Sequence, residues 1–263
     1  MLSGGDFFSM NEYESSASWF EETVEKTSNG AILYDTAIID QVSEKTFSAA
    51  GWKTVRPVDN VLRSGGRGHT LIISDGKNDY VLRHFMRGGL IGRLIRDSYF
   101  WLSEEKTRSF MEWRLLYKLT QMGLPVPRPA VARYCRTGTI YTADIITRYV
   151  PGIRSLSIRL AQRSGNEEFW TSLGAGIRRF HEAGVDHADL NVYNIQVAAN
   201  DDLTLLDFDR GSLRTPGPWQ QKNLARLHRS LQKISRLDPR VNYTEANWQQ
   251  FLEGYFQATK SSQ

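Results

Sequence analysis

Apolar and polar residues alternate in short runs through the first half of this chain and recur at helical spacing through much of the second. Ala31–Ile39 (AILYDTAII) is aliphatic enough to be extended. Thr70–Ser74 (TLIIS) and Tyr80–Phe85 (YVLRHF) flank the polar stretch Asp75-Gly-Lys-Asn-Asp79, the pattern of a hairpin. Apolar residues at 110, 113, 115, 116 and 119 predict a helix over Lys106–Met122, closed by Gly123. Pro125, Pro127 and Pro129 then impose an extended connector, because each ring fixes its own φ and disfavours the helical region for the residue before it. Two more strand-like runs, 130–134 and 139–150, lead to Pro151-Gly152, a natural break. Beyond it, Phe169, Leu173, Ile177 and Phe180 line one face of a helix predicted over Glu167–Ala183, and Leu224, Leu227, Leu231 and Ile234 do the same over Trp219–Leu237.

Composition narrows the class of protein. With 263 residues, 40% of them hydrophobic and 24% charged, the chain can bury one large core or two lobes around a cleft. A single cysteine, Cys135, excludes an intramolecular disulfide framework and suits a reducing compartment. No apolar run approaches the roughly 20 residues that span a bilayer, and the opening MLSGGDFFSMNEYESS lacks the basic cap and apolar stretch of a secretory signal. Residues 1–25 are expected to be disordered and the protein to be cytoplasmic. The net charge of +4 does not by itself indicate nucleic acid, but basic residues crowd into 83–114 and 210–240, as solvated faces or as sites for an anionic partner.

The most informative stretch is His187-Ala-Asp189-Leu-Asn191-Val-Tyr-Asn194-Ile, followed by Leu205-Leu-Asp207-Phe-Asp209. Asp189 offers a carboxylate that can orient a hydroxyl and take its proton. Asn194 and Asp207 are two oxygen ligands for a magnesium ion on a nucleotide. Any one of the three is an ordinary turn residue; their joint spacing resembles that of the protein-kinase-like superfamily. The resemblance implies an α+β, bilobal fold, with an N-lobe over 26–150, mostly β with one main helix, and a mostly α C-lobe over 151–263. It also implies roles in the N-lobe. Gly65, Gly66 and Gly68 would form a flap over the nucleotide phosphates. Arg83 stands on the strand where a lysine is usual and would contact the phosphates, with Glu112 on the following helix as its partner. His187 is expected to pack under the loop rather than act as a base, and His181 to sit at a helix end near the negative dipole.

A narrower resemblance rests on Gly66-Arg67-Gly68, Tyr80–His84, Arg87-Gly-Gly-Leu-Ile-Gly-Arg93, Lys106–Phe110, Gly123–Pro127 and the two motifs above. From about residue 30 onward the chain resembles the lipopolysaccharide-core kinases, most closely those that act on 3-deoxy-D-manno-octulosonic acid (Kdo). That likeness implies ATP and Mg2+ as cofactors and phosphorylation of the 4-hydroxyl of Kdo on lipid A. It also implies a peripheral site at the cytoplasmic face of the bacterial inner membrane; no protein partner is implied, and nucleic acid is not expected because the basic stripes come without a recognised reader motif. Residues 88–102 interleave Leu, Ile, Phe and Trp with Arg93 and Arg96, which suits either an anionic membrane surface or a helix packing the lobe. Departures from protein kinases are Asp209 in place of glycine, only a short loop between it and Trp219, and Asn191 two positions after Asp189, where many carry lysine. The cation for the transferring phosphate is left open among Arg67, Arg83 and Arg210. A heptose kinase of the same pathway and a kinase-like binding module are the competing readings.

Overall fold

A computed structural model describes residues 22–58, 70–86 and 97–257. The N-terminal half builds one antiparallel sheet from β1 (Glu22–Lys26), β2 (Gly30–Asp35), β3 (Thr54–Pro57), β4 (Thr70–Ser74), β5 (Asp79–His84) and β6 (Tyr99–Phe100). The helix α1 (Arg108–Gln121) precedes two long strands, β7 (Pro129–Thr137) and β8 (Ile140–Arg148), which complete it. The spatial order is β1-β2-β7-β8-β5-β4-β3, with β6 paired to β8. Residues 22–25, the end of the segment expected to lack order, are instead part of β1, whose Val24 pairs with Leu33 of β2. The hairpin at 75–79 is closed by the Asp75 carboxylate, which accepts the Lys77 and Asn78 N–H groups at 2.7 Å.

Beyond Pro151-Gly152 the chain turns through β9 (Arg154–Ser155) into helices α2 (Leu156–Gln162) and α3 (Glu167–Glu182). Short strands β10 (Val185–Asp186), β11 (Ile195–Val197), β12 (Leu203–Leu205) and β13 (Ser212–Leu213) follow, and α4 (Trp219–Leu237) and α5 (Glu245–Gln257) close the fold. The layout is α+β, a large sheet followed by a mainly helical half. The Asn166 side chain caps α3 by accepting the Phe169 N–H at 3.0 Å. Its apolar stripe then buries Phe169, Leu173, Ile177 and Phe180 as the spacing requires. Glycines let α5 lie directly on α3: a Cβ at Gly174 would stand 2.0 Å from the Phe251 carbonyl oxygen, and one at Gly254 1.9 Å from that of Thr171.

Helix α1 presses Phe110, Trp113, Leu116 and Leu119, all buried, against β7 and β8. One cluster of buried side chains includes Leu33 in β2 and Tyr255 in α5 and so joins the two halves of the chain, and a second, with Ile32, Ile73 and Ile146, lies within the sheet. Leu190, Val192, Ile195, Leu205 and Phe208, which flank Asp189, Asn194 and Asp207 in sequence, belong to the first.

Candidate active site

The β11–β12 hairpin does the first piece of positioning. Its register pairs Ile195 with Leu205, and the Leu206 N–H donates to the Asn194 carbonyl at 2.9 Å. Asn194 and Asp207 therefore emerge at the same end of one hairpin although thirteen residues separate them in sequence. Asp207 has φ 63°, a left-handed conformation that costs a non-glycine residue energy and that the surrounding structure must hold in place.

The loop before the hairpin is held by short side chains bonding to backbone. The amide nitrogens of Asn191 and Asn194 both donate to the Asp189 carbonyl, at 2.8 and 3.0 Å, while Asn191 Oδ1 accepts the Tyr193 N–H at 2.9 Å. Asn191 thus secures the loop rather than supplying charge. The buried Asn194 keeps its Oδ1 as an acceptor. Ala188 takes φ 57°, and its N–H is received by Asp186 Oδ1 at 3.1 Å. Burial pushes the Asp186 carboxyl upward, but Arg214, Asn223 and the Ala188 N–H outweigh it and hold it below its ordinary value. Beneath the loop, His187 Nε2–H donates to the Leu206 carbonyl at 2.9 Å and the ring packs on Phe208. Burial keeps this imidazole neutral, as expected of a structural histidine. His181 sits in the last turn of α3, as expected of a helix-end residue, but it is buried against the Tyr255 hydroxyl at 2.7 Å, and desolvation lowers it to about 4, so it carries no charge to offer the helix dipole.

Above the loop the contacts are ionic. Arg83 on β5 reaches Asp207 Oδ1 with Nη1 at 2.8 Å and grips Glu112 Oε2 with Nη2. Glu112, buried in α1, also accepts the Phe208 N–H on Oε1 at 3.2 Å, so it ties β5, α1 and the Asp207 segment together. Burial drives the Glu112 carboxyl up; Arg83 pulls it down, while Asp207 and Asp209 push it further up. Arg83 is desolvated too, but Glu112, Asp207 and Asp209 keep it firmly charged. Asp209 pairs with Arg108 at 3.1 Å, its Oδ1 is buried with no hydrogen-bond partner among the described residues, and desolvation raises it.

Asp189 itself is half exposed, its carboxylate open to an arriving hydroxyl. One oxygen, Oδ1, is met at 2.6 Å by Nη1 of Arg226 from α4. From sequence, Arg226 is one of a basic stripe with Lys222, Arg229 and Lys233, read as a solvated helix face or a face toward phosphate or carboxylate, and is not among the candidates for the cation at the transferring phosphate. Arg83 is taken by its two carboxylates, Arg210 is exposed and acts on Asp209 only through its field, and Arg67 lies outside the described residues. Gly65, Gly66 and Gly68 lie outside them as well. The oxygens that could hold a hard divalent cation are Asn194 Oδ1, the Asp207 carboxylate and the unpartnered Asp209 Oδ1. Among the described residues no group of three or more His, Cys, Asp or Glu side chains is arranged as a metal cage. Such an ion would rest on one or two protein oxygens together with phosphate oxygens, the habit of magnesium in nucleotide sites.

Two comparisons with known proteins bear on this arrangement. The family described as "Lipopolysaccharide kinase (Kdo/WaaP) family" matches residues 52–255. A protein of Xanthomonas euvesicatoria pv. vesicatoria (strain 85-10) named 3-deoxy-D-manno-octulosonic acid kinase is 44% identical over 207 residues, covering 78% of this chain and 81% of its own. Proteins of the same name from Stenotrophomonas maltophilia (strain K279a) and Xylella fastidiosa (strain M12) are 44% and 43% identical over the same shares.

Proposed function

The chain belongs to the lipopolysaccharide kinase (Kdo/WaaP) family, and from that premise we propose that it moves the γ-phosphoryl group of ATP to the 4-hydroxyl of a Kdo sugar on lipid A. It is a phosphotransferase with an alcohol acceptor, a Kdo kinase of lipopolysaccharide core biosynthesis. What supports the detailed reading most is the convergence of Asp189, Asn194 and Asp207 around one hairpin end in a chain this similar to proteins named for that acceptor.

Each residue then has a task set by its surroundings. Asp189 accepts a hydrogen bond from the acceptor hydroxyl and aligns its oxygen with the γ-phosphorus. As the new P–O bond forms and the bond to ADP breaks, the hydroxyl proton passes to the carboxylate. Asn194 and Asp207 are the residues that would hold Mg2+, which, when bound, supplies charge neutralisation on the phosphates. Their oxygens suit such an ion, and the buried, unpartnered oxygen of Asp209 adds negative potential beside them. Arg83 places a permanent positive charge next to Asp207, where the α- and β-phosphates would lie, and Glu112 prevents it from swinging away. Gly65, Gly66 and Gly68 are assigned to the phosphate flap on the sequence pattern alone.

The acceptor is a membrane glycolipid, so the enzyme has to meet a lipid surface. Among the described residues no helix is long and apolar enough to cross a membrane. Phe100 and Leu102 are 69% and 74% exposed at the end of segment 88–102, whose residues 88–96 lie outside the described residues. These exposed side chains, following a run of arginines and aliphatics, support a peripheral contact with an anionic inner-membrane surface. The decisive test is incubation of the purified protein with radiolabelled ATP, Mg2+ and Kdo–lipid A, with the phosphorylated position located by NMR. Label at the Kdo 4-hydroxyl is expected. Label confined to a heptosylated core would transfer the assignment to heptose, and no label on either acceptor would leave only a binding module.

A further inference from the structure

Helix α4 carries five Lys and Arg residues and no Asp or Glu in nineteen residues. Four of them, Lys222, Arg226, Arg229 and Lys233, fall within an arc of about 60° at 100° per residue, and all four are exposed. Like charges three and four apart on a helix repel and cost stability. An exposed helix face selected only for solubility would mix signs, as α3 does where Arg178 meets Glu182 at 2.8 Å. Among the described residues only one member of the stripe has an acidic partner, and that partner is Asp189.

The edge of α4 beside the stripe is locked to the catalytic loop. Asn223 Nδ2 donates to Asp186 Oδ1 at 2.9 Å, Arg226 meets Asp189, and Ser230 Oγ accepts the Val192 N–H at 3.3 Å. Residues 223, 226 and 230 of the helix thus match residues 186, 189 and 192 of the loop. Buried Leu227 and Trp219 hold the helix in that position. The stripe is therefore fixed with respect to the carboxylate that orients the acceptor, and runs about 16 Å along the helix, at 1.5 Å per residue. Arg226 spends one N–H group on Asp189 and, 48% exposed, turns the rest of its fork outward.

We propose that Lys222, Arg226, Arg229 and Lys233 form the anion-binding track on which the acidic acceptor seats, with Arg226 joining a charged group of the acceptor to Asp189. The inference rests on the kinase reading above and adds how the acceptor is recognised. The shared chemistry is that of carboxylate and phosphate oxygens, which the acceptor presents on its acid sugar and on its phosphorylated glucosamine backbone. Arginine at the junction suits a two-pronged contact, and the lysines further along suit point-charge attraction. The track also answers the absence of a cation at Asn191, because α4 delivers one to the same carboxylate from outside the loop.

The test uses the full chain and a deacylated, water-soluble acceptor, assayed without vesicles, in forms with and without backbone phosphates. In Lys222→Gln/Arg229→Gln/Lys233→Gln, with Arg226 retained, the acceptor KM should rise about tenfold and its dependence on salt should weaken, while the KM for ATP holds. If the rise disappears with the dephosphorylated acceptor, the phosphates are the partners; if it persists, the sugar carboxylate is. Arg226→Gln should raise acceptor KM and also lower kcat, with Arg226→Lys recovering part of both. An unchanged acceptor KM in the triple variant, at an unchanged thermal midpoint, overturns the track. So does a KM effect seen only when the acceptor sits in anionic vesicles, since the stripe would then be reading bulk lipid. A wild-type protein that phosphorylates no Kdo acceptor removes the Kdo-kinase reading itself, and the track with it.

Discussion

The two sides of the active site are built by different forces. Below, the loop carrying Asp189 is shaped by neutral or local hydrogen bonds: Asn191 and Asn194 to the Asp189 carbonyl, Asn191 to the Tyr193 N–H, His187 to Leu206. Above, Arg83, Glu112, Asp207, Arg108 and Asp209 form a chain of charges drawn from β5, α1 and the segment after β12. The lower side positions atoms for chemistry chiefly through bonds between neutral groups, with the Arg214–Asp186 and Arg226–Asp189 pairs at its edge. The upper side brings positive charge to where phosphates would lie, and it holds that charge by opposing it with carboxylates. A nucleotide would compete with those carboxylates, so the upper side is the one expected to rearrange when substrate binds.

Removing the group proposed to take the hydroxyl proton should have the largest effect. Asp189→Ala is expected to lower kcat by about three orders of magnitude, read in the radiolabel assay, with little change in thermal midpoint, because the loop is held mainly through the Asp189 carbonyl and its carboxylate makes only a half-exposed pair with Arg226. Near-normal turnover would remove Asp189 from the mechanism. Next comes the upper side. Arg83→Ala leaves buried Glu112 without its counter-charge and should cost about 3 kcal/mol in urea unfolding, together with a large loss of kcat/KM. Arg83→Lys should recover stability better than activity, since one ammonium cannot span both carboxylates as the planar fork does.

The lower side should respond more mildly. Asn191→Ala deletes the bonds to the Asp189 carbonyl and the Tyr193 N–H. It should cost about 1–2 kcal/mol and slow kcat through the misplaced carboxylate, leaving the KM for ATP unchanged. A raised KM for ATP would mean that the two sides are coupled, against the contrast drawn here. The smallest effect is the dependence on pH. His84, beside Arg83 on β5, hydrogen-bonds Asp144 at 2.7 Å and also meets Asp97 at 3.5 Å. The Asp144 bond, partly offset by burial and reinforced by both carboxylates, raises its pKa above the ordinary histidine value. A histidine raised in the folded state stabilises fully below its unfolded pKa of about 6.5 and loses that contribution as pH climbs through the folded value. The His84 contribution should therefore fall above pH 6.5, read as the difference in thermal midpoint between the wild type and His84→Gln. His181 and His187, whose values burial lowers, act in the opposite sense: the unfolded chain protonates them below about 6.5, so their destabilising effect is relieved as pH rises, equally in both proteins.

Most of the elements were readable from the pattern of residues because their signals are local. The α1, α3 and α4 helices declare themselves through a 3.6-residue apolar period, and the β4–β5 hairpin through a polar turn between two apolar runs. Strands β1 and β3 did not, since they are edge strands whose mostly exposed residues carry no alternation. Nor did α5: it packs on α3 through Gly174 and Gly254, and glycine in a helix reads as a break until the close approach is seen.

The same division holds at the site. The sequence by itself determined the candidate reacting groups, because Asp189, Asn194 and Asp207 lie within one loop and one hairpin, where spacing dictates geometry. It also carried the family resemblance and, through Arg83 and Glu112, a pairing across 29 residues that the motif order suggested. Only the tertiary structure decided which cation meets the Asp189 carboxylate. Arg226 lies 37 residues beyond Asp189, on a helix whose basic stripe resembles any solvated surface. What brings the two together is the docking of α4 by buried Trp219, Leu227 and Asn223, and the apolar period that marks α4 as a helix does not say which loop the helix packs against.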